Sequence, residues 1–293
     1  MYADLCRRLA NDPRVGAIAD DLSWDVPLRL LGGLHYLVLA SLASWDEIDD
    51  ALDGQAEFLA RWMTEQDVQT NEVQRSWGLV PAFLSVSDGR PFDLLELGPS
   101  AGLNLLWDRY RYRYSSGTWG EGTFELTGDD RVPPPAELFE RHVSVGRRRG
   151  VDLNPIDVTT DHGALLLQAF VWPDQPGRAD RLRRAIDVVR ADPPEILQGD
   201  YVELLPALLA DRREGEQLLV FQSASTQYLD VAGLERVRSS LREAASDAPL
   251  VFVSTANAPE HNGYALEVEH HPQGRVTRLG VLDFHGEWLE WAK

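Results

Sequence analysis

Two kinds of hydrophobic pattern divide the chain. Residues 1–87 read as helical, with apolar positions recurring every three or four residues. Leu5, Leu9 and Val15 predict a first amphipathic helix, and Leu28 to Ala43 a second, largely buried one. Ser44-Trp45-Asp46-Glu47 is a capping box for a third helix running to about Thr64. Asn71 is placed to cap a fourth that carries Arg75, Trp77, Leu79 and Phe83. From Phe92 onward short apolar runs alternate with helical stretches. Phe92–Leu97, Gly150–Asp152, Ile196–Gln198, Leu218–Gln222 and Leu250–Thr255 predict strands. Helices are predicted over Leu103–Tyr110, from Asp161, over Arg178–Arg190, Val202–Leu209 and Val231–Ala245. Ala265–His271 and Val276–Phe284 then pair through Pro272-Gln273-Gly274. Residues 111–149 form an insertion whose Tyr112, Tyr114, Trp119 and Phe124 suggest strands or a hairpin. The expected organisation is an all-helical part over 1–87 and an α/β domain over 88–293.

The most informative segment is the turn after the first strand, Glu96-Leu97-Gly98-Pro99-Ser100-Ala101-Gly102. Strand, small-residue turn and helix together bring a ligand onto backbone amides at the carboxyl end of a parallel sheet. A dinucleotide fingerprint would need glycine at Ser100 and Leu103, and a phosphate-binding loop would need Gly-Lys-Ser/Thr. Gly98-Pro99-Ser100-Ala101-Gly102 matches a serine-hydrolase elbow literally. Helices precede it, however, where that fold has strands, and Pro99 removes an amide beside the nucleophile. The remaining reading is the first motif of a class I S-adenosylmethionine methyltransferase, Glu/Asp-x-Gly-x-Gly-x-Gly, with Ser100 for the middle glycine. Glu96 would then accept a hydrogen bond from the cofactor's ammonium, and Gly98, Ser100 and Gly102 would line its amino-acid end. Any strand-to-helix turn, though, favours Gly, Ser and Pro.

Two later segments fall in the order that this reading needs. Asp152 ends the second strand, beside Leu153, where a carboxylate would take both ribose hydroxyls; the plain alternative is a loop acid before the Asn154-Pro155 turn. Gly199-Asp200-Tyr201 follows the third strand, where Asp200 would hold the adenine amino group and Tyr201 would pack on the ring. The plain alternative there is Asp200 as a helix N-cap. The expected fold is therefore α/β, a class I methyltransferase-like Rossmann sheet with an antiparallel last strand.

Composition narrows the partners. A formal net charge of −19 disfavours nucleic acid. The Arg147-Arg148-Arg149 run is too short to reverse this and reads as a solvated face or a turn. The single cysteine, Cys6, excludes an internal disulfide and fits a reducing cytoplasm. No stretch reads as a signal peptide or a membrane span, so a cytoplasmic protein free of membranes is expected. The seven histidines show no ligand spacing, and no metal is expected. A homo-oligomer or a partner subunit remains open.

The chain resembles an uncharacterised family, domain-of-unknown-function family 2332. The matching stretches are Val68–Val73 with Arg75, Glu96–Leu105, Asp108–Tyr112, Gly150–Asp157, Trp172–Gln175, Gln227–Leu229 and His285–Trp288. The resemblance implies a methyltransferase-like fold with a helical N-terminal part and assigns no reaction. The chain departs from the family pattern at Gln222, where relatives often carry histidine. It departs again at Ala256–Glu260, where they often carry Met-Glu-Pro.

If a methyl group moves, the enzyme must orient a nucleophile in line with the sulfonium, and a base is needed only for a protonated nucleophile. Gln222, Ser223, Gln227 and Tyr228 stand after the fourth strand, where substrate is met, and His285 is a candidate base or a packing histidine. Gln69, Asn71 and Arg75 precede the first strand, with Arg75 suited to a substrate carboxylate or to a structural ion pair with Glu72 or Asp46. Asn104 and Trp172 complete the candidate substrate set. Three functions are expected in competition: a methyltransferase acting on a small molecule, a cofactor-independent enzyme of specialised metabolism performing intramolecular substitution or ring closure, and a non-catalytic binding or scaffolding subunit.

Overall fold

The computed structural model describes residues 2–18 and 25–292, so the helical expectation for residues 19–24 lies outside the described residues. The chain forms two compact units, Met1–Asn71 with Ile156–Ile186, and Glu72–Pro155 with Asp187–Lys293. The expected boundary at residue 87 does not coincide with this division. Residues 72–87 group with the sheet, and 156–186 group with the N-terminal helices.

The first unit is helical: α1 (Tyr2–Leu9), α2 (Pro13–Ile18), α3 (Val26–Leu39), α4 (Ile48–Gly54) and α5 (Ala56–Glu65). The predicted first helix is two, because Pro13 starts a new one and Asp12 accepts from the Arg14 amide at 2.9 Å. The predicted third helix breaks at Gln55, whose φ of −122° leaves the helical region. Ser44 does cap its start, accepting from the Asp46 amide at 3.3 Å. Leu30, Leu34, Leu37, Ile48, Leu52 and Leu59 fill this unit's core.

In the second unit α6 (Arg75–Val86) leads into β1 (Phe92–Leu97). Gln74, not Asn71, stands at the N-cap of α6. The insertion supplies β2 (Arg111–Tyr114), β3 (Gly117–Trp119), β4 (Glu125–Thr127) and β5 (Asp129–Val132), and β6 (Val145–Asp152) follows. The chain then crosses to the helical unit for α7 (Asp161–Ala169). It returns within α8 (Pro176–Ala191) to β7 (Glu195–Gln198), α9 (Tyr201–Ala210), β8 (Gln217–Phe221), α10 (Val231–Ala244) and β9 (Leu250–Ala258). β10 (Gly263–His271), β11 (Arg275–Leu282) and β12 (Trp288–Trp291) finish it. Thr160 rather than Asp161 caps α7, accepting from the Gly163 amide at 3.0 Å.

The main sheet has nine strands in the order β5-β12-β11-β10-β9-β8-β1-β6-β7. β7, β6, β1, β8 and β9 are parallel, and β9 to β12 form an antiparallel meander that contains the predicted terminal pair. β12 has no counterpart in the sequence reading. It pairs in parallel with β5, so the insertion adds a strand to the main sheet. β2, β3 and β4 form a separate small sheet.

Every residue of β1 is buried. Leu95 and Leu97 join Val151, Val220, Leu205 and Leu241 under α9 and α10. On the other face Phe92 and Phe83 of α6 pack on Trp107. The predicted helix over 103–110 is instead a 3-10 turn, Asn104–Arg109, kinked at Leu106. The Tyr110 and Tyr112 hydroxyls donate to the carbonyls of Leu103 and Trp107, both at 2.7 Å, and so satisfy acceptors outside a regular helix.

The arginine run is neither a turn nor solvated. It lies in β6, where Arg149 is only 2% exposed. Asp93 of β1 takes Arg147 at 2.8 Å, Arg149 at 3.3 Å and the Arg213 amide at 3.1 Å. Asp93→Ala leaves the buried Arg149 with the exposed Asp211, at 3.2 Å, as its remaining carboxylate partner among the described residues, and is expected to cost about 3–5 kcal/mol in chemical denaturation. A loss below about 1 kcal/mol would show that the network carries no weight.

Candidate functional site

The turn after β1 is left-handed at three positions, with φ of +73° at Gly98, +53° at Ser100 and +76° at Gly102. A Cβ on Gly98 would lie 2.5 Å from the Ser225 Cβ, and one on Gly102 would lie 2.7 Å from the Pro194 ring. Both glycines are thus demanded by protein side chains that press against the turn. Ser225, which sequence reasoning missed, also donates its hydroxyl to the Leu97 carbonyl at 2.6 Å. Its own carbonyl accepts from the Tyr201 hydroxyl at 3.3 Å. No motif signals this clamp, because Ser225 acts through its position beside Gly98. Ser100 takes a conformation costly for a residue with a side chain, and its amide donates to Asp152 Oδ2 at 2.8 Å. Two of the predicted cofactor residues, Ser100 and Asp152, are therefore in direct contact.

Glu96 is 1% exposed and makes no hydrogen bond among the described residues, and its Oε2 is sealed from solvent. Burial pushes its carboxyl pKa well above the ordinary value; the Asp152 charge raises it further, and Arg75 draws it down. A buried carboxyl without a partner is uncommon, since burying a polar group uncompensated costs several kcal/mol (about 2–7). Asn104, also buried, accepts from the Ser76 hydroxyl at 2.6 Å and leaves its Nδ2 without a partner.

Asp152 ends β6 as predicted. Its Oδ1 accepts from the Asn154 amide at 2.9 Å, so each carboxylate oxygen holds one backbone donor. Leu153, next to it, is 59% exposed. Asp200 caps α9, with Oδ1 accepting from the Val202 amide at 2.8 Å, which realises the plain alternative for this residue. Tyr201 is buried in the core under α9, so its ring is not presented to a ligand. Burial pushes its hydroxyl up to about 12.

The loop after β8 carries the next group. Gln222 is buried, donates Nε2 to the Thr255 carbonyl at 2.7 Å and leaves Oε1 without a partner. Ala224 is left-handed and donates its amide to Thr255 Oγ1 at 2.8 Å. Ser223 turns its carbonyl to Arg75 Nη1 at 3.4 Å, and Arg75 Nε donates to the Phe284 carbonyl at 2.9 Å. Arg75 has no carboxylate within ion-pair distance among the described residues, so the expected pair with Glu72 or Asp46 is absent. Tyr264 at the start of β10 sits beside this group, its ring 4.8 Å from Phe284 and its hydroxyl 3.5 Å from Gln227 Oε1. Tyr264 was missed because nothing in its strand sequence separates it from a core tyrosine. Tyr228 is 78% exposed. His285 is an exposed turn residue whose amide donates to Asp283 Oδ2 at 2.7 Å.

The sheet unit thus holds Arg75, Glu96, Gly98, Ser100, Gly102, Asn104, Asp152, Leu153, Asp200, Tyr201, Gln222, Ser223, Tyr228 and His285. Gln69, Asn71 and Trp172 belong to the helical unit, where Trp172 packs against the core. Among the described residues no group of three or more His, Cys, Asp or Glu side chains is placed to hold a metal. No helix there is long and apolar enough to cross a membrane.

Two outcomes follow. The folded protein keeps a proton on Glu96 that the unfolded chain releases once the pH passes the ordinary value of 4.5. Its stability contribution is therefore lost as pH rises from there towards the folded pKa. Glu96→Gln cannot ionise, so in thermal melts it should exceed the wild type at pH 8 and lose that advantage near pH 4; equal melting at both pH values would contradict the assignment. Gly98→Ala should destabilise by about 1–3 kcal/mol through overpacking. Adding Ser225→Gly should return part of that loss in denaturant titrations.

No curated protein and no solved structure matches the chain. The sequence model of one family matches residues 1–291, under the description "Uncharacterized protein conserved in bacteria (DUF2332)". The chain belongs to that family, DUF2332.

Proposed function

We propose that the loops at the carboxyl ends of β1, β6 and β8 bind S-adenosylmethionine and that the protein methylates a small molecule. The observation that carries this reading is Glu96, a buried carboxyl with no hydrogen bond among the described residues, near the end of the central strand. An ammonium group would complete it and, by its charge, favour the ionised form. Asp152 suits a ribose, because each of its oxygens keeps a lone pair for a hydroxyl after accepting one amide. Leu153 offers an exposed apolar surface to a heterocycle, and Asp200 Oδ2 is left to accept from an exocyclic amine. Tyr201 does not suit the ring-packing role, because it is buried.

When bound, the cofactor would supply an electrophilic methyl group on a sulfonium. The protein's part is then orientation: Glu96 would hold the amino-acid end of the ligand and Asp152 its ribose, and the loop after β8 would position the acceptor. One observation favours a second reading. The glycines of the turn are filled by Ser225, Pro194 and Ile196, which suits a smaller ligand handled without the cofactor, in an intramolecular substitution or ring closure.

Calorimetric titration separates the two. Micromolar binding of S-adenosylmethionine and S-adenosylhomocysteine is expected, weakened at least 30-fold, or about 2 kcal/mol, by Asp152→Ala. A folded wild type that binds neither at millimolar concentration would remove the methyltransferase reading and leave the cofactor-independent enzyme and the non-catalytic subunit.

A further inference from the structure

Among the described residues of the sheet unit, Arg75, Arg141 and Arg212 hold backbone carbonyls without a carboxylate partner, and Arg75 and Arg212 differ in one respect. Arg212 uses every nitrogen: Nε on Leu209, Nη1 on Ala248 and Nη2 on Ala244. That is a complete staple. Arg75 uses Nε on Phe284 and Nη1 on Ser223, the second at a long 3.4 Å. Its Nη2 has no acceptor among the described residues and is not sealed from solvent. The half-buried guanidinium is thus held through Nε and Nη1 while Nη2 keeps contact with solvent, in a chain of net charge −19 where carboxylates are plentiful.

The groups around Arg75 come from the strand ends where the proposed reading places the acceptor. Ser223 follows β8, Phe284 follows β11, and Tyr264 opens β10 with its ring edge-on to Phe284. Burial raises the Tyr264 hydroxyl above its ordinary pKa and keeps it a proton donor, while the nearby Arg75 charge draws it part of the way back. Among the described residues the Tyr264 hydroxyl has the distant Gln227 Oε1 as its acceptor, at 3.5 Å, and is available to donate elsewhere. A guanidinium edge beside a phenol hydroxyl is a donor set for a planar oxyanion, for which Arg is suited by its fixed fork. The Tyr264 and Phe284 rings provide apolar contact for the rest of the molecule.

We infer that Arg75 and Tyr264 form the anion subsite of the acceptor, and that the acceptor is a small organic carboxylate. The inference rests on reading these strand-end loops as a methyl-transfer site, yet it is tested apart from that reading. Benzoate, phenylacetate and 3-phenylpropanoate are compared with their neutral amides by ligand-observed NMR and calorimetry, with S-adenosylhomocysteine present. The wild type, Arg75→Gln and Tyr264→Phe are measured, and the affinity of each for S-adenosylhomocysteine alone is recorded. The acids should bind the wild type at least tenfold more tightly than the amides. Arg75→Gln should abolish that preference and Tyr264→Phe reduce it several-fold, with S-adenosylhomocysteine affinity held within threefold.

Acids that bind no better than amides would overturn the inference. So would an Arg75→Gln protein that loses S-adenosylhomocysteine, because the guanidinium would then serve the cofactor's own carboxylate. Acid preference in a wild type that binds no S-adenosylhomocysteine would uphold the subsite while the methyltransferase reading fell. Should Arg75→Gln not fold, a folded Tyr264→Phe with undiminished acid binding would overturn the inference by itself.

Discussion

Burying β1 on both faces removes water from two carboxyl groups on one strand, and the protein treats them in opposite ways. Asp93, near the amino end, is met by two arginines and a backbone amide. Glu96, three residues on, is met by nothing among the described residues. The first arrangement offsets the desolvation of a charge with other charges, as a buried acid requires. The second leaves it uncompensated at the end of the strand where ligands enter parallel sheets. The same backbone thus carries a structural carboxylate and an available one, and the difference lies wholly in what the neighbouring strands bring to each.

The loops around Glu96 are held by contacts that are mostly short and local. Asp152 is tied to the turn through the Ser100 amide, the turn is pressed by Ser225, and Ser225 takes the Tyr201 hydroxyl. Four segments from the ends of β1, β6, β7 and β8 are therefore linked through a few hydrogen bonds. Such interlocking holds polar groups in place, which is what a preorganised site needs.

Much of this was legible in the sequence. The strands β1, β6, β7, β8 and β9 and the terminal antiparallel pair follow from short apolar runs between turn residues, and Asp152 and Asp200 fall at strand ends because their runs stop there. What escaped depends on partners distant in sequence. β12 and β5 are short and polar, and only their pairing makes them strands. The run at 147–149 looks solvated until Asp93 is placed opposite it. The stretch at 104–109 is a 3-10 turn whose irregular carbonyls, at Leu103 and Trp107, are taken by tyrosines several residues later. Ser225 and Tyr264 carry no motif, and their roles come from contact with Gly98 and Phe284. The grouping of 156–186 with the N-terminal helices has no local signal either.

That last feature bears on how the molecule is assembled. The chain leaves the helical unit after Asn71, re-enters it at Ile156 and leaves again after Ile186. β6 and β7 are hydrogen-bonded neighbours, yet the whole of the re-entrant helical segment separates them in sequence. Neither unit is a contiguous stretch, so no single cut releases one intact. The edge strand β7 reaches its place only after a long loop has closed, and pairing across such separations is entropically slow. On the ribosome, the parallel half of the sheet must wait for a helical unit finished in mid-chain, so the two units share one folding history although each has its own core.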